Sequence, residues 1–267
     1  MTAKKLSATA ETGNASVANS TLLSRQGIES AFAAADILDA AYKGTKQFKG
    51  KDLKNVRALG ALYPETVQLV VRANSGINKF TDLKGKSISS GSPGSGQWQL
   101  LGDLLVAHGM DRKTDIKEDY SSFSQSVEKI KDGNLDASLI TAGSPTASVL
   151  ELANHHAIKI IPLTGPAIKK LQKVQPYYAD AILPANTYKG QTEDVKTIAV
   201  RAIWATHDKL DDNTAYSVVK ALYENTDTLA KVHVKGKEIS LEKALESVSI
   251  PIHPGAEKYY REKGLIK

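Results

Sequence analysis

The chain has 267 residues, of which 41% are hydrophobic and 24% charged, a balance typical of a folded protein rather than a disordered one. Its net charge of +6 comes from scattered lysines without interleaved aromatic residues, which argues against a nucleic-acid-binding surface. The absence of cysteine excludes disulfides, thiol catalysis and thiolate metal sites, and no run of about 18 apolar residues predicts a membrane span.

The apolar pattern predicts strands and helices that alternate along the whole chain. The predicted strands are Lys5–Ala10, Ile28–Ala33, Val56–Tyr63, Val67–Arg72, Lys86–Ser90, Leu135–Ile140, Ile158–Leu163, Ala181–Leu183 and Val195–Ala205. The predicted helices are Ser16–Ser24, Ile37–Tyr42, Gln97–His108, Ser124–Lys131, Pro145–Ala153, Pro166–Gln175 and Asn213–Thr226, with short helices after them. This alternation predicts an α/β fold with mainly parallel sheets. Near the end, Pro254 and Gly255 predict a break before a helix whose charged face is Glu257–Lys263.

The Gly-rich turn Gly91–Gly96 is the sharpest local motif, because a strand enters it and a helix begins at its end. Unpaired N–H groups and the positive end of a helix dipole attract anions, and Ser92 and Ser95 add hydroxyl donors. Neither a Walker A loop nor GxGxxG is present, so a carboxylate or a small phosphate or sulfate is favoured over a nucleotide. Two interpretations stay open: a ligand hook, or a helix cap made by Ser95 without a ligand.

Two further segments, Glu11–Asn19 and Ile140–Ser148, also run from a strand through a small-residue turn into a helix. Ligands of open α/β sheets lie beyond the carboxyl ends of the strands, so three such turns favour convergence on one cleft. The segments Ser24–Asp36 and Ile130–Gly143 share a helix end, a glycine and a strand. This echo indicates either two lobes of similar design, with a cleft between them, or the general pattern of helix–Gly–strand units.

The motifs of catalysis are not found in this sequence. None of the six histidines belongs to an HExxH motif or an i, i+4 metal pair, and there is no GxSxG elbow. No carboxylate pair sits at a turn in a way that suggests acid–base work. We therefore expect a binding protein rather than an enzyme, without a cofactor or a bound metal.

Several motifs, taken together, resemble the TAXI family, the solute receptors of tripartite ATP-independent periplasmic (TRAP) transporters. The resemblance runs from about Leu6 to Lys267. The motifs that carry it are Ala61–Glu65, Asp82–Lys86, Gly91–Gly96, Leu183–Gly190 and Ile252–Glu257.

The resemblance implies a type II periplasmic-binding fold, with lobe I formed by residues 1–72 and 182–267 and lobe II by residues 73–181. The hinge strands would be Val67–Arg72 and Ala179–Leu183, and the lobes would close on the ligand. It also implies a periplasmic or other extracytoplasmic monomer that binds a glutamate-like amino acid or a dicarboxylate and delivers it to TRAP permease subunits. The alternatives are a sensory or orphan receptor of the same fold and a truncated inactive member.

The family's ligand contacts carry over onto two sets of residues in this sequence. One lobe would contribute Thr12, Gly13 and Asn14, and the other lobe would contribute Ser95, Gly96 and Gln97. The Ser92 hydroxyl, in the same Gly-rich turn, is added to these contacts as a donor. The residues that would border the cleft are Tyr63, Thr141, Ala142 and Gly143.

The sequence departs from the family pattern at two places. The first strand, Gly-rich turn and helix of the family have no counterpart before Leu6, and no signal peptide is present, so either the protein is cytosolic or its addressing segment lies outside this sequence. In Ala33–Asp36 only Asp36 keeps the polarity that the family has there, which predicts a different ligand or weaker binding.

Overall fold

A computed structural model describes residues 8–11 and 15–267. The helices are α1 Ala15–Ser24, α2 Ala35–Lys43, α3 Gly96–Ala107, α4 Phe123–Lys131, α5 Ala147–His155, α6 Pro166–Val174, α7 Asp212–Tyr223, α8 Thr226–Val232 and α9 Pro254–Glu262. The strands are β1 Ser30–Ala34, β2 Val56–Arg72, β3 Ser87–Ser89, β4 Lys117–Asp119, β5 Ala137–Ala142, β6 Ile158–Ile161, β7 Ala179–Leu183 and β8 Val195–His207.

The chain divides into two compact units. The first comprises Met1–Tyr63 and Ala202–Lys267, and the second comprises Pro64–Arg201. The boundaries fall inside the long strands β2 and β8, so each of these strands contributes residues to both units.

Most predicted elements are present, but three predictions are wrong. Residues 8–10 have no regular structure, so the first predicted strand does not form there, and residues 5–7 lie outside the described part. The two predicted strands on either side of Pro64 are one strand, β2, because a single proline removes one N–H donor without ending the extended backbone. The predicted Pro-Gly break is instead the first turn of α9.

The expectation of mainly parallel sheets is also wrong. Among the described residues, the parallel pairings are β3–β4, β3–β5 and an isolated bridge between Ala58 and Ile252. Strand β2 runs antiparallel to β5 and β6, and β8 runs antiparallel to β1 and β7. Helix–strand alternation predicts parallel neighbours where successive strands are joined by helical crossovers, as in the segment from β3 to β5. It does not determine the direction of the two long strands, β2 and β8.

The core of the first unit is built around tyrosines on helices α7 and α9. The Tyr223 hydroxyl donates to the Ala61 carbonyl over 2.7 Å, and the Tyr260 hydroxyl donates to the Leu59 carbonyl over 2.5 Å. Both rings are buried, and Tyr63 packs against the same cluster. Because each buried hydroxyl has a partner, the aromatic area is removed from water without an unsatisfied donor.

His253 is the N-cap residue of α9, binds the turn between β8 and α7, and is completely buried. Its Nδ1 accepts from the Gly255 N–H over 3.2 Å, and its Nε2 lies 3.0 Å from the Leu210 carbonyl, to which it donates. A ring that accepts at one nitrogen and donates at the other is the neutral imidazole. Burial lowers the pKa of His253 from its ordinary value of 6.5.

We expect acid to destabilise the first unit through His253. Since its folded pKa is depressed, its contribution to stability is complete above pH 6.5 and is lost as the pH falls through the lower folded value. Urea unfolding at pH 7.5 and pH 5 would measure this loss. The matched variant His253→Asn keeps a capping oxygen without a titrating group and should show a shallower change between these pH values. Parallel pH curves for the two proteins would contradict the assignment.

Candidate functional site

Two of the predicted ligand turns, the turn before α3 and the turn before α5, begin at the same edge of the sheet in the second unit. Strands β3 and β5 are parallel neighbours, with Ile88 opposite Ala137 and Ser89 opposite Ser138. Adjacent strands lie about 4.8 Å apart, and parallel strands end at the same edge. The turn before α3 and the turn before α5 therefore start side by side.

The turn before α3 is a capped helix start. Ser95 is buried, and its Oγ accepts from the Trp98 N–H over 3.1 Å, which is the geometry of the helix-cap interpretation. The Gln97 side chain donates to the Leu139 carbonyl and fastens the first turn of α3 to β5. Gly91 has a φ of +74°, a conformation that favours glycine. A Cβ added at Gly91 would lie 3.4 Å from the Gln97 side-chain amide.

The turn before α5 is different, because its helix start is uncapped. The N-cap residue Thr146 makes no side-chain bond to the helix. Within the described part of the chain, the N–H groups of Ala147, Ser148 and Val149 have no hydrogen-bond acceptor. These three donors and the positive end of the α5 dipole point at the same place.

Two buried hydroxyls belong to the elements on the two sides of this turn. Neither Thr141 Oγ1, at the end of β5, nor Ser148 Oγ, in the first turn of α5, has a hydrogen-bond partner among the described residues. Ser148 is only 9% exposed. A buried hydroxyl without a partner costs about 1–3 kcal/mol, so such groups in a folded protein call for a ligand, an ion or water. The N–H groups at the N-terminus of a helix favour an anion, and hydroxyl donors add to such a site.

The other predicted residues fall into four groups. Ala142 and Gly143 are half-buried in the turn before α5, and the Gly143 carbonyl accepts from Thr146 Oγ1 over 3.0 Å. Ser92 is exposed in the turn before α3, which Gly96 follows as the first helical residue. Tyr63 belongs to the first unit. The remaining predicted contacts, Thr12, Gly13 and Asn14, lie outside the described residues.

Ser148 is not among the ligand contacts expected from the sequence, although it ends the segment Ile140–Ser148. The signal was available in the sequence. Ser148 follows Thr146 by two positions at the start of a helix, where a hydroxyl can point past the helix end. Its lack of a partner could not be read from the sequence, because it depends on which groups the fold brings to the start of α5.

A polar cavity of about 240 Å³ lies at the opposite edge of the second unit's sheet. It is lined by the end of β2 and the start of β5: Arg72, Asn74, Ser75, Gly133, Leu135 and Asp136. The Asp136 carboxylate there already accepts from both the N–H and the hydroxyl of Ser87. The cavity is therefore separate from the uncapped start of α5.

Among residues 8–11 and 15–267, no group of three or more His, Cys, Asp or Glu side chains is placed to hold a metal ion. Within the same residues, no helix combines the length and apolar character needed to cross a membrane.

The fold places the chain in the class of type II periplasmic-binding-like proteins. Solved structures with similar folds include the alkanesulfonate-binding protein SsuA from Xanthomonas axonopodis pv. citri bound to MOPS, with 17% identity, a TM-score of 0.50, and coverage of 93% of this chain and 71% of that one. A protein from Bordetella bronchiseptica RB50 has 15% identity, a TM-score of 0.51, and coverage of 91% and 84%.

The sequence model of the NMT1-like family matches residues 1–264, and the chain belongs to this family. The match spans both compact units. The family and the fold together define the general class, and the chemistry of the ligand has to be argued from the site.

Proposed function

We propose that this protein is an extracytoplasmic solute receptor that binds a small organic anion at the uncapped start of α5. The observation that carries the proposal is the set of unpartnered groups on the two sides of this turn: the buried hydroxyl of Thr141 in β5, the buried hydroxyl of Ser148 in α5, and the three unpaired N–H groups of the helix start. Donors of this kind match a carboxylate or sulfonate oxygen, which accepts several hydrogen bonds at once. The turn before α3, with Ser92, Gly96 and Gln97, completes the binding surface in this proposal.

Within that function, we assign the ligand to glutamate-like amino acids or dicarboxylates and the partner to a TRAP permease. The support is the set of TAXI-like motifs, among them Asp82–Lys86 and Leu183–Gly190. Sulfonates are the second class to test, because the Xanthomonas relative is an alkanesulfonate-binding protein. The net charge of +6 favours approach of anions of either class.

A thermal-shift panel tests the proposal. The panel contains L-glutamate, L-glutamine, 2-oxoglutarate, succinate and a series of alkanesulfonates, with chloride as the control anion. A ligand at about 100 times its Kd should add roughly 2.7 kcal/mol to the free energy of unfolding. Isothermal titration of the best compound then gives the Kd. A folded sample that responds to no compound beyond the chloride control would refute the proposal.

A further inference from the structure

Thr146 occupies the N-cap position of α5 but uses its hydroxyl elsewhere. A threonine at this position ordinarily accepts from the N–H two or three residues on, here Ser148 or Val149. In this protein its Oγ1 accepts from Gln68 Nε2 over 3.0 Å and donates to the Gly143 carbonyl over 3.0 Å. The hydroxyl is therefore held on the turn side of the helix start.

Tyr188 holds the same turn from a second direction. Its hydroxyl accepts from the Thr146 N–H over 2.8 Å and donates to Gln68 Oε1 over 2.5 Å. Gln68 is completely buried and Tyr188 is 2% exposed. Burial raises the pKa of Tyr188 above its ordinary value of 10.0, so the phenol keeps the proton that it donates.

Gln68, Thr146 and Tyr188 form a closed hydrogen-bond network, in which the side-chain polar groups bond to one another or to the backbone of the turn. Gln68 uses its oxygen on Tyr188 and its nitrogen on Thr146. On the other side of the turn, Thr66 Oγ1 lies 3.3 Å from Ser144 Oγ. Closed buried networks favour a single arrangement of their members, since breaking one bond leaves another group unsatisfied. The N–H groups of Ala147, Ser148 and Val149 lie outside it.

We propose that Gln68 and Tyr188 are positioning residues that keep the start of α5 uncapped, and so available to the ligand, by holding the Thr146 hydroxyl away from it. The inference rests on the proposed anion site. Neither residue contacts the ligand in this scheme. Their effect is to prevent a threonine, which would otherwise satisfy the N–H of Ser148 or Val149, from competing with an anion for the same donors.

The test uses Gln68→Leu, which removes the bond that holds Thr146, and Thr146→Val, which removes the competing hydroxyl. The probes are methanesulfonate and acetate, titrated while the amide resonances of Ser148 and Val149 are followed by NMR. Gln68→Leu should weaken binding roughly 5- to 10-fold, the range expected from one helix cap. The double variant should return to within about twofold of Thr146→Val alone.

Recovery of affinity when Thr146→Val is added to Gln68→Leu distinguishes a positioning role of Gln68 from general damage to the fold. If each substitution only removed a buried hydrogen bond, the two losses of affinity would add. Unchanged affinity in folded Gln68→Leu, or a double variant as weak as Gln68→Leu, would overturn the inference. Tyr188→Phe should shift affinity in the same direction as Gln68→Leu.

Amide hydrogen exchange without any ligand gives an independent readout. If Thr146 is released to cap the helix, the amide of Ser148 or Val149 should exchange at least about threefold more slowly in Gln68→Leu than in the unmodified protein. Absence of binding by the unmodified protein would overturn the proposed function, whereas unslowed exchange would overturn this inference, so the two failures are distinguishable.

Discussion

Gly255→Ala is expected to destabilise the first unit by at least about 3 kcal/mol, the largest effect on stability that we expect from one added methyl group. A Cβ at position 255 would lie 2.0 Å from the Asp212 carbonyl oxygen and 3.0 Å from the Ala215 Cβ. Both neighbours belong to α7, which packs against α9. The obstruction is backbone rather than a flexible side chain, so the helices would have to separate.

Urea unfolding of Gly255→Ala measures this loss, and Gly27→Ala is its matched control. A Cβ on Gly27 would meet only the Leu22 side chain and carbonyl, at 3.4 and 3.6 Å, which are ordinary contacts. The control should change the free energy of unfolding by less than about 1 kcal/mol. Equal effects of the two substitutions would show that α7 and α9 are not packed as closely as described here.

Gly255 also illustrates what the sequence could and could not predict. The pair Pro254–Gly255 predicts a break, because both residues are common in turns. The structure uses Pro254 as the first helical residue, where its missing N–H has no intrahelical partner to lose, and uses Gly255 to let α7 approach. The close approach joins segments about 40 residues apart in sequence, and no local pattern records it.

The fold class could be predicted because it depends on local periodicity. The helices and most strands appear within a few residues of their predicted bounds, as with α1 at Ala15–Ser24 and β8 at Val195–His207. Strand direction could not be predicted, since β2 takes antiparallel partners from distant parts of the chain. The short strand β4 was missed because three residues are too few to show alternation.

In the candidate site, too, local motifs could be read from the sequence and contacts between distant residues could not. Strand–turn–helix motifs marked the turns before α3 and α5, and both begin at one sheet edge because β3 and β5 are parallel neighbours. The difference between the two turns depends on distant residues. Ser95 caps its own helix, whereas Thr146 is held by Gln68, 78 positions away. The sequence therefore favoured the Gly-rich turn, and the structure draws attention to the start of α5.

Ser148→Asp is expected to abolish anion binding while leaving the protein folded. The new carboxylate would lie in the first turn of α5, where a negative charge interacts favourably with the helix dipole and can accept from the unpaired N–H groups. It would occupy the place of the ligand and repel it. Two charges about 4 Å apart near a protein surface interact by about 4 kcal/mol, so we expect at least a 100-fold loss, which is ~2.7 kcal/mol.

The matched control is Ser124→Asp, because Ser124 is the second residue of α4 just as Ser148 is the second residue of α5. The start of α4 is capped by Ser122, whose Oγ accepts from the Gln125 N–H, and Ser124 is exposed. The control therefore adds the same charge at the same helical position without filling an uncapped helix start. Titration of both variants with the best compound of the panel should show binding by Ser124→Asp alone. Ser148→Ala completes the comparison: it removes an unpaired buried hydroxyl, so stability should hold or rise while affinity falls about 10-fold. A Ser148→Asp protein that binds as tightly as the Ser124→Asp control would place the ligand elsewhere in the molecule.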